Sequence, residues 1–209
     1  MRVLIACEES QTVCKAFRER GHEAYSCDLQ ACSGGHPEWH LQIDVFEALY
    51  LKKWDLIIMH PPCTAICTTG NRVYGIGKVK EQIRKESATW TQELFKQATN
   101  VCLRVCMENP RGVLNGMFEW LPKPQYIQPY NFGHPTSKLT GLWLHGLPKL
   151  QNTETVTPEF VISRSGKKHS KLHWETPSTN NLENAKIRSK TFPGIARAMA
   201  EQWSDNLLS

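Results

Sequence analysis

Two short segments of this chain combine a proline turn with a side chain that can do chemistry. His60-Pro-Pro-Cys63 follows an apolar run at residues 54–59, and Glu108-Asn-Pro110 follows another at residues 101–107. Apolar runs of this length predict buried strands, and proline cannot continue a strand's hydrogen bonding. We therefore expect Cys63 and Glu108 at the exits of two strands, with the Cys63 thiol presented rather than packed.

A thiol and a carboxyl group at two strand exits would share one crevice, because ligands of an open parallel sheet bind beyond the carboxyl ends of its strands. A thiolate is a nucleophile, and a dry pocket raises the pKa of a carboxyl group so that it can donate a proton. Singly, a cysteine is more often a small buried apolar residue and a glutamate more often caps a turn. The order and separation of the two segments favour an active site.

The elements that must position these residues alternate along the first 110 residues. Residues 3–7 and 23–28 predict strands on either side of a helix at residues 12–20, which Gly21 closes. A short strand at 41–44 and helices at 45–52 and 84–100 continue the alternation. Later strands are expected at 125–128 and 139–144, and a helix at 193–207. The pattern predicts an α/β fold, a Rossmann-like, doubly wound, mostly parallel sheet in a single domain with a small polar and basic insertion.

We expect a catalytic core over residues 1–148, the small basic insertion over 149–188, and a closing helix within 189–209. The chain has 209 residues, enough for one domain with a real core, and a formal net charge of +5, which suits a polyanionic partner. Eight cysteines without a visible export signal predict reduced thiols in a cytoplasm. No apolar run approaches the ~20 residues that span a bilayer, so no membrane role is expected.

The two proline segments resemble the Pro-Pro-Cys and Glu-Asn motifs of the DNA cytosine-5 methyltransferases, particularly the compact, phage-type members. In that family the cysteine attacks C6 of a cytosine flipped out of DNA, and the glutamate contacts N3. The resemblance implies these catalytic roles for Cys63 and Glu108, and a ring contact for Lys138 in a third motif-like segment, residues 135–144. It also implies S-adenosylmethionine as cofactor, duplex or single-stranded DNA as substrate, and the cytoplasm of a bacterium or phage-infected host.

The methyl donor is expected at the first turn between strand and helix, residues 6–12, which contains no glycine, whereas larger family members have a glycine-rich turn. Asp28 ends the second predicted strand, where an acid can take ribose hydroxyls. Asp44 precedes a helix, where it is also a plausible N-cap. The cofactor-binding residues that follow from the resemblance are Cys7, Glu8, Asp28, Asp44, Pro61, Phe192 and Gly194.

DNA contacts are expected in two segments. The loop at residues 68–78 is long, polar and bears three glycines, and it resembles the family's mobile loop that closes over DNA. Residues 149–190 stand where longer members carry a large target-recognition region, which implies short or relaxed specificity, or help from a protein partner or a second copy. The predicted phosphate contacts, each of which can instead be a solvated charge, are Arg72, Lys78, Arg164, Lys167, Lys168 and Lys171.

Other functions fit parts of the pattern. Two Cys-x3-Cys pairs, 63/67 and 102/106, are conceivable zinc ligands, but residues four apart on a strand cannot chelate one ion without a turn, so no metal is expected. A cysteine hydrolase built on Cys63 and His60 lacks an evident third group. A catalytically silent DNA-binding relative, another one-carbon donor, or a free nucleotide as substrate all remain open.

Overall fold

A computed structural model describes residues 1–177 and 182–204, without the side chains of Leu182 and Ala185. The strands in these ranges are β1 Arg2–Ala6, β2 Glu23–Cys27, β3 His40–Leu41, β4 Leu56–Met59, β5 Val105–Pro110, β6 Gln125–Ile127, β7 Thr140–His145, β8 Phe160–Ile162 and β9 Lys168–Ser170. The helices are α1 Thr12–Glu19, α2 Val45–Leu51, α3 Asn71–Tyr74, α4 Glu81–Val101, α5 Leu114–Met117, α6 Lys171–Glu175, α7 Leu182–Ser189 and α8 Pro193–Ser204.

Seven strands form the main sheet in the order β3-β2-β1-β4-β5-β7-β6. The first five run parallel, and β7 is inserted antiparallel between β5 and β6. Alternate residues of β1 enter two different cores: Val3 packs with α1 and α8, and Leu4 packs with α2 and α4. Both faces of the sheet are therefore covered by helices, which confirms the α/β, Rossmann-like, doubly wound fold in a single domain.

Strand β5 differs from the sequence-based prediction at both ends. Helix α4 continues to Val101, so the strand begins only at Val105, and it runs through Glu108 to Pro110. The cause is the antiparallel neighbour β7, whose pairing reaches Pro110, whereas the parallel pairing with β4 stops at Met107. Glu108 thus lies inside β5 rather than at its exit, but it still stands beyond the end of β4.

Other boundaries shift by a few residues. Helix α4 begins at Glu81 rather than residue 84, and β3 is reduced to His40 and Leu41. Helix α8 is described to Ser204, so the predicted end at Leu207 lies outside the described residues. Among the described helices, none has both the length and the apolar character that a bilayer span requires.

The predicted basic insertion contains a hairpin, β8 and β9, followed by α6 and α7. The hairpin forms its own two-stranded sheet. Its turn is closed by the Ser163 N–H, which donates to the Lys167 carbonyl (2.9 Å), and Gly166 takes the left-handed conformation there (φ 76°). The division of the chain into a core, an insertion and a closing helix stays a prediction.

Candidate active site

Cys63 lies in a turn directly after β4. The Cys67 N–H donates to the Cys63 carbonyl at 2.9 Å, which closes one helical turn and brings the two cysteines to the same side of the segment. Cys63 is half-buried and Cys67 is buried. The Cys63 thiol is therefore neither fully presented, as the sequence predicted, nor sealed in the core.

The chain segment that follows β4 is joined to the end of β5 and to the segment after it. Three hydrogen bonds connect them: Asn109 Nδ2 to Pro61 O (2.8 Å), Val113 N to Ile66 O (3.0 Å) and Thr68 N to Arg111 O (3.1 Å). Gly112 sits at the closest approach, where a Cβ atom would lie 2.2 Å from the Ile66 carbonyl oxygen. Only glycine permits this contact, so the backbone itself fixes Cys63 relative to β5.

Arg84 of helix α4 also contacts the Cys63 turn. Its side chain is 7% exposed, and its donors reach three oxygens: Ala65 O (2.7 Å), Asn71 Oδ1 (2.8 Å) and Cys67 O (3.2 Å). These contacts compensate the cost of burying a guanidinium. Arg84 was not predictable as a site residue, because an arginine near the start of a helix gives no signal of burial.

Glu108 is paired with His60, the residue directly after β4. His60 Nδ1 lies 3.1 Å from Glu108 Oε2, and the two side chains are 9% and 11% exposed. Burial raises the pKa of Glu108, but the hydrogen bond to His60 and the charges of Lys138 and His60 outweigh it and lower the pKa overall. This reverses the expectation that a dry pocket would raise the pKa of this carboxyl group.

Lys138 precedes β7, and its charge acts on Glu108 and Cys63. Its backbone N–H donates to Gln128 Oε1 (2.9 Å), and its half-buried side chain donates to the carbonyl of Arg188 (2.7 Å). The positive charge of Lys138 favours the ionised forms of both Glu108 and Cys63 and so acts to lower both pKa values. The three residues to which the sequence assigned catalysis therefore lie within electrostatic reach of one another.

Cys63 and Cys67 form a coupled thiol pair. The hydrogen bond to Cys67, burial, and the negative charges of Cys67 and Glu108 raise the pKa of Cys63. The pKa of Cys67 is lowered, first by the hydrogen bond from Cys63, and further by the Thr69 hydroxyl, 3.0 Å from its sulfur, and by neighbouring backbone amides. At rest Cys63 keeps the shared proton, and Cys67 is the better stabilised thiolate.

The structure bears on the two alternative sites considered from the sequence, a zinc site and a cysteine hydrolase. A turn does join Cys63 and Cys67, contrary to the sequence argument, but Cys102 and Cys106 lie in different cores, so the four thiols do not come together. A third group beside His60 exists after all, namely Glu108. However, the groups that act on the Cys63 thiol are Cys67, Glu108 and Lys138.

The first turn, after β1, contains no glycine, yet two of its residues have positive φ angles. Cys7 and Gln11 both adopt the left-handed conformation, each with φ 58°, which non-glycine residues rarely do. Glu8 between them is buried, and its carboxylate accepts the N–H groups of Val13 (2.7 Å) and Cys14 (3.2 Å) in the first turn of α1. Each Glu8 oxygen thus accepts one backbone N–H, which fixes the first turn of α1; the predicted role of Glu8 as a cofactor ligand stays a prediction.

The remaining predicted acids lie close to Cys7. Burial raises the pKa of the Cys7 thiol, and the charges of Asp28, Cys27 and Asp44 add to this effect. Asp28 is half-buried and uses one oxygen to accept the Gln30 N–H (2.9 Å). Asp44 is exposed and caps α2 through the Phe46 N–H (2.8 Å), as its N-cap alternative predicted. Asp28 keeps a free oxygen that can accept a hydroxyl.

The two residues predicted near the C-terminus contact the Lys138 side of the site. The Phe192 ring centroid lies 5.9 Å from Lys138 Nζ and 5.3 Å from that of His134. Gly194 is buried and donates its N–H to His134 Nε2 (2.8 Å), and a Cβ there would lie 1.9 Å from the Phe132 carbonyl oxygen. Close packing is therefore a sufficient reason for glycine at this position.

The six predicted DNA contacts are all exposed and fall into two groups. Arg72 and Lys78 lie on the loop after Cys63, together with two apolar side chains that are almost fully exposed, Ile76 (94%) and Val79 (102%). On the hairpin, Arg164 and Lys167 occupy the turn. The other two basic residues have local partners: Lys168 of β9 lies over the Phe160 ring (3.8 Å), and Lys171, the first residue of α6, pairs with Glu159 (2.7 Å).

The sequence matches no protein-family model and no curated protein. Among solved structures, it is similar to one described as a proposed DNA modification methyltransferase encoded within an Escherichia coli prophage. The identity is 12%, the TM-score is 0.44, and the match covers 75% of this chain and 52% of that chain. The chain thus spans about half the length of that protein, and a similarity this distant carries no information about activity.

Proposed function

We propose that this chain is an S-adenosylmethionine-dependent DNA methyltransferase that forms 5-methylcytosine through a covalent adduct of Cys63 with C6. The observation that carries the proposal is the convergence of Cys63, Glu108 and Lys138 at one edge of the sheet. These residues come from three separate segments of the chain. Their motif resemblance rests on order and spacing along the sequence, which by themselves do not require the side chains to meet.

The first chemical need is a thiolate. C5 of cytosine is a poor nucleophile until a thiolate has added to C6, and at rest the shared proton belongs to Cys63. In the proposed reaction, the Cys67 thiolate accepts this proton as the Cys63 sulfur forms its bond to C6. The Lys138 charge stabilises negative charge on Cys63 during this step.

The second need is neutralisation of the charge that thiolate addition places on the ring. Glu108 is a carboxylate in the free protein, because its pKa is lowered. In the proposed reaction it takes up one proton from solvent as the ring enters, donates this proton to N3 as the sulfur–carbon bond forms, and C5 becomes nucleophilic. After C5 has been methylated, its hydrogen leaves as a proton to a base, N3 returns its proton to Glu108, and the Cys63 sulfur is expelled. The thiol pair and the carboxyl group then return to their starting protonation states.

The cofactor, when bound, would supply an activated methyl group. Asp28, with its free oxygen after β2, fits a ribose hydroxyl, and the Cys7 turn lies beside it. Asp44 borders this region in the proposal and Phe192 borders the Lys138 side of the site, whereas Glu8 contributes by fixing the first turn of α1. Two buried polar atoms on the same edge have no partner among the described residues, namely His60 Nε2 and Asn109 Oδ1.

DNA is the proposed partner, because the exposed basic residues of the loop and hairpin can contact phosphates. The hairpin would act as a reduced target-recognition element, and β-ribbons do enter the major groove of DNA in other proteins. Its small size favours relaxed specificity or help from a second copy or another protein. We place the reaction in the cytoplasm of a bacterium or an infected host.

The test is expression in a bacterium that lacks DNA methylation, followed by nucleoside mass spectrometry and sequencing of modified cytosines. We expect 5-methylcytosine with the wild-type chain and none with Cys63→Ser, because a hydroxyl is a far weaker nucleophile here. Cys32→Ser, another half-buried free cysteine, serves as the control and should retain activity. Product formation by Cys63→Ser would remove the proposed mechanism.

A second candidate is a catalytically silent DNA-binding relative. It is favoured by the two predicted cofactor acids, Glu8 and Asp44, that already accept backbone N–H groups. Calorimetry distinguishes the two functions: heat of binding for S-adenosylmethionine supports the enzyme, and DNA binding without any cofactor binding supports the relative.

A further inference from the structure

His60 is a buried histidine that has no role in the reaction steps proposed above. Its side chain is 9% exposed, Nδ1 lies 3.1 Å from Glu108 Oε2, and Nε2 is buried without a partner among the described residues. A buried ring held by one nitrogen only is unusual for a purely structural histidine, since buried polar atoms nearly always find partners. The one described contact of the ring is therefore the one that Nδ1 makes with Glu108.

We propose that His60 is a positioning residue for Glu108: it holds Oε2 of the carboxyl group and leaves Oε1 to serve the N3 atom of the target pyrimidine. This inference rests on the proposed cytosine chemistry. It assigns to His60 a role that neither the motif resemblance nor the distant structural similarity provides.

Charges from several elements act on this pair. Glu8, after β1, interacts with His60, and Lys138, before β7, interacts with Glu108. The Cys63 thiol, which is paired with Cys67, also interacts with the charge of Glu108. Burial raises the pKa of Glu8, and the charge of His60 opposes this effect. His60 therefore stands between two buried carboxyl groups, and only Glu108 has an oxygen that backbone N–H groups do not claim.

The proton balance of the step is simple. As the ring enters, Glu108 takes up one proton from solvent on Oε1, while the N–H at His60 Nδ1 donates to Oε2. As the Cys63 sulfur adds to C6, the Oε1 proton moves to N3, and Glu108 becomes a carboxylate that His60 and Lys138 stabilise. When the sulfur leaves, N3 returns the proton to Oε1. His60 donates a hydrogen bond throughout and is neither consumed nor oxidised.

Three substitutions separate this role from simple filling of space. Asparagine places an amide N–H near the position of Nδ1, so His60→Asn keeps a donor for Oε2. Glutamine places its amide near the position of Nε2, so His60→Gln fills the site without that donor. His60→Ala removes both. Unfolding curves for all three variants establish that each is folded before its activity is compared.

We expect His60→Ala and His60→Gln to lower kcat by about 100-fold, within the range for a proton-transfer group, with little change in the KM for DNA. The kcat of His60→Asn should be about tenfold higher than that of these two variants, since a neutral donor still holds Oε2. Because His60 lowers the pKa of Glu108, its removal should raise that pKa. The alkaline limb of the kcat profile, where Glu108 loses its proton, should therefore move to higher pH in His60→Ala.

Carbon-13 NMR of the Glu108 carboxyl group, assigned through Glu108→Gln, reports the same titration without any turnover. A wild-type chain that methylates DNA, together with His60 variants that keep its kcat and pH profile, would overturn the inference. Equal losses in the asparagine and glutamine variants would also count against it. If the wild-type chain methylates no DNA, the proposed function is what fails; an unchanged Glu108 titration in His60→Ala would then reject the contact as well, and an upward shift would sustain it.

Discussion

The edge of the sheet around Cys63 and the hairpin of β8 and β9 are both marked by the sequence as functional, but they are built differently. At the edge, three hydrogen bonds join the segment after β4 to the end of β5 and the segment beyond it, and the buried Arg84 donates to two carbonyl groups of the Cys63 turn. The hairpin consists of two three-residue strands apart from the main sheet, with Arg164 and Lys167 exposed at its turn.

The difference matches the demands of the two proposed tasks. Covalent chemistry depends on placing reacting groups to within a fraction of an ångström, and the backbone contacts around Cys63 achieve this. Attraction between lysine or arginine and phosphate is long-ranged and tolerates many geometries. A small exposed hairpin is therefore adequate for phosphate contacts, whereas it would be a poor support for a nucleophile.

The largest expected effect comes from disrupting the close backbone contact between Gly112 and Ile66. In Gly112→Ala the new Cβ would meet the Ile66 carbonyl oxygen, a backbone atom that cannot move aside cheaply. We expect the free energy of unfolding to fall by about 3 kcal/mol or more, measured by urea denaturation, with loss of activity. Gly116→Ala is the control, since no atom lies within 4 Å of its Cβ position; equal stability of the two variants would contradict the close contact.

Arg84→Met tests the brace from α4. The substitution removes the donors for the Ala65 and Cys67 carbonyl oxygens, and unsatisfied buried acceptors cost about 1–3 kcal/mol. Calorimetric melting should show this loss, together with slower alkylation of the thiol pair if its geometry relaxes. Lys85→Met removes only a surface ion pair with Glu81 and should change stability by less than about 1 kcal/mol. A melting temperature equal to that of the wild type would contradict the prediction that the Arg84 hydrogen bonds stabilise the Cys63 turn.

Substitutions in the hairpin should change the affinity for DNA rather than the free energy of unfolding. Replacing both Arg164 and Lys167 by alanine should weaken DNA binding about tenfold and reduce the salt dependence by about two phosphate contacts, with no measurable change in unfolding. Lys171→Ala should have a smaller effect, because Lys171 is already paired with Glu159. Fluorescence anisotropy at several salt concentrations measures both quantities. An unchanged salt slope in the double variant would remove the hairpin from the DNA interface.

The smallest effect is expected at the left-handed Cys7. Cys7→Gly relieves about 1 kcal/mol of backbone strain but loses a partly buried side chain, so stability should change by less than about 1 kcal/mol. Cys7→Val should lower it by about 1–3 kcal/mol, because a β-branched residue fits the left-handed region poorly. Both values come from chemical denaturation, and a valine variant as stable as the glycine variant would contradict the observed conformation.

Much of the fold was predictable because it follows from local patterns. Alternating strands and helices, Gly21 at the end of α1, and Asp44 as a potential cap were all read from spacing and residue type. The boundary error at β5 has a different origin. The strand extends through Glu108 to Pro110 only because β7 pairs with it, and the identity of a neighbouring strand is not written in the segment itself.

For the candidate site, sequence placed Cys63 and Glu108 near two strand ends, and resemblance added Lys138. It could not foresee that Arg84 would be buried, that His60 would hold Glu108, or that both oxygens of Glu8 would be taken by α1. Each of these contacts joins residues from different elements. The net lowering of the Glu108 pKa follows from such contacts, so burial alone predicted the wrong direction.

By itself, the sequence determined the α/β class, the strand order along the chain and the residue types available for chemistry, because hydrophobic period and proline placement act over a few neighbours. Tertiary structure decided which of those residues meet. The insertion of β7 beside β5 and the close passage of Gly112 against Ile66 bring distant segments within bonding range. Distances and charges between such segments arise only after the sheet has assembled, and these set the protonation of the Cys63 and Glu108 groups.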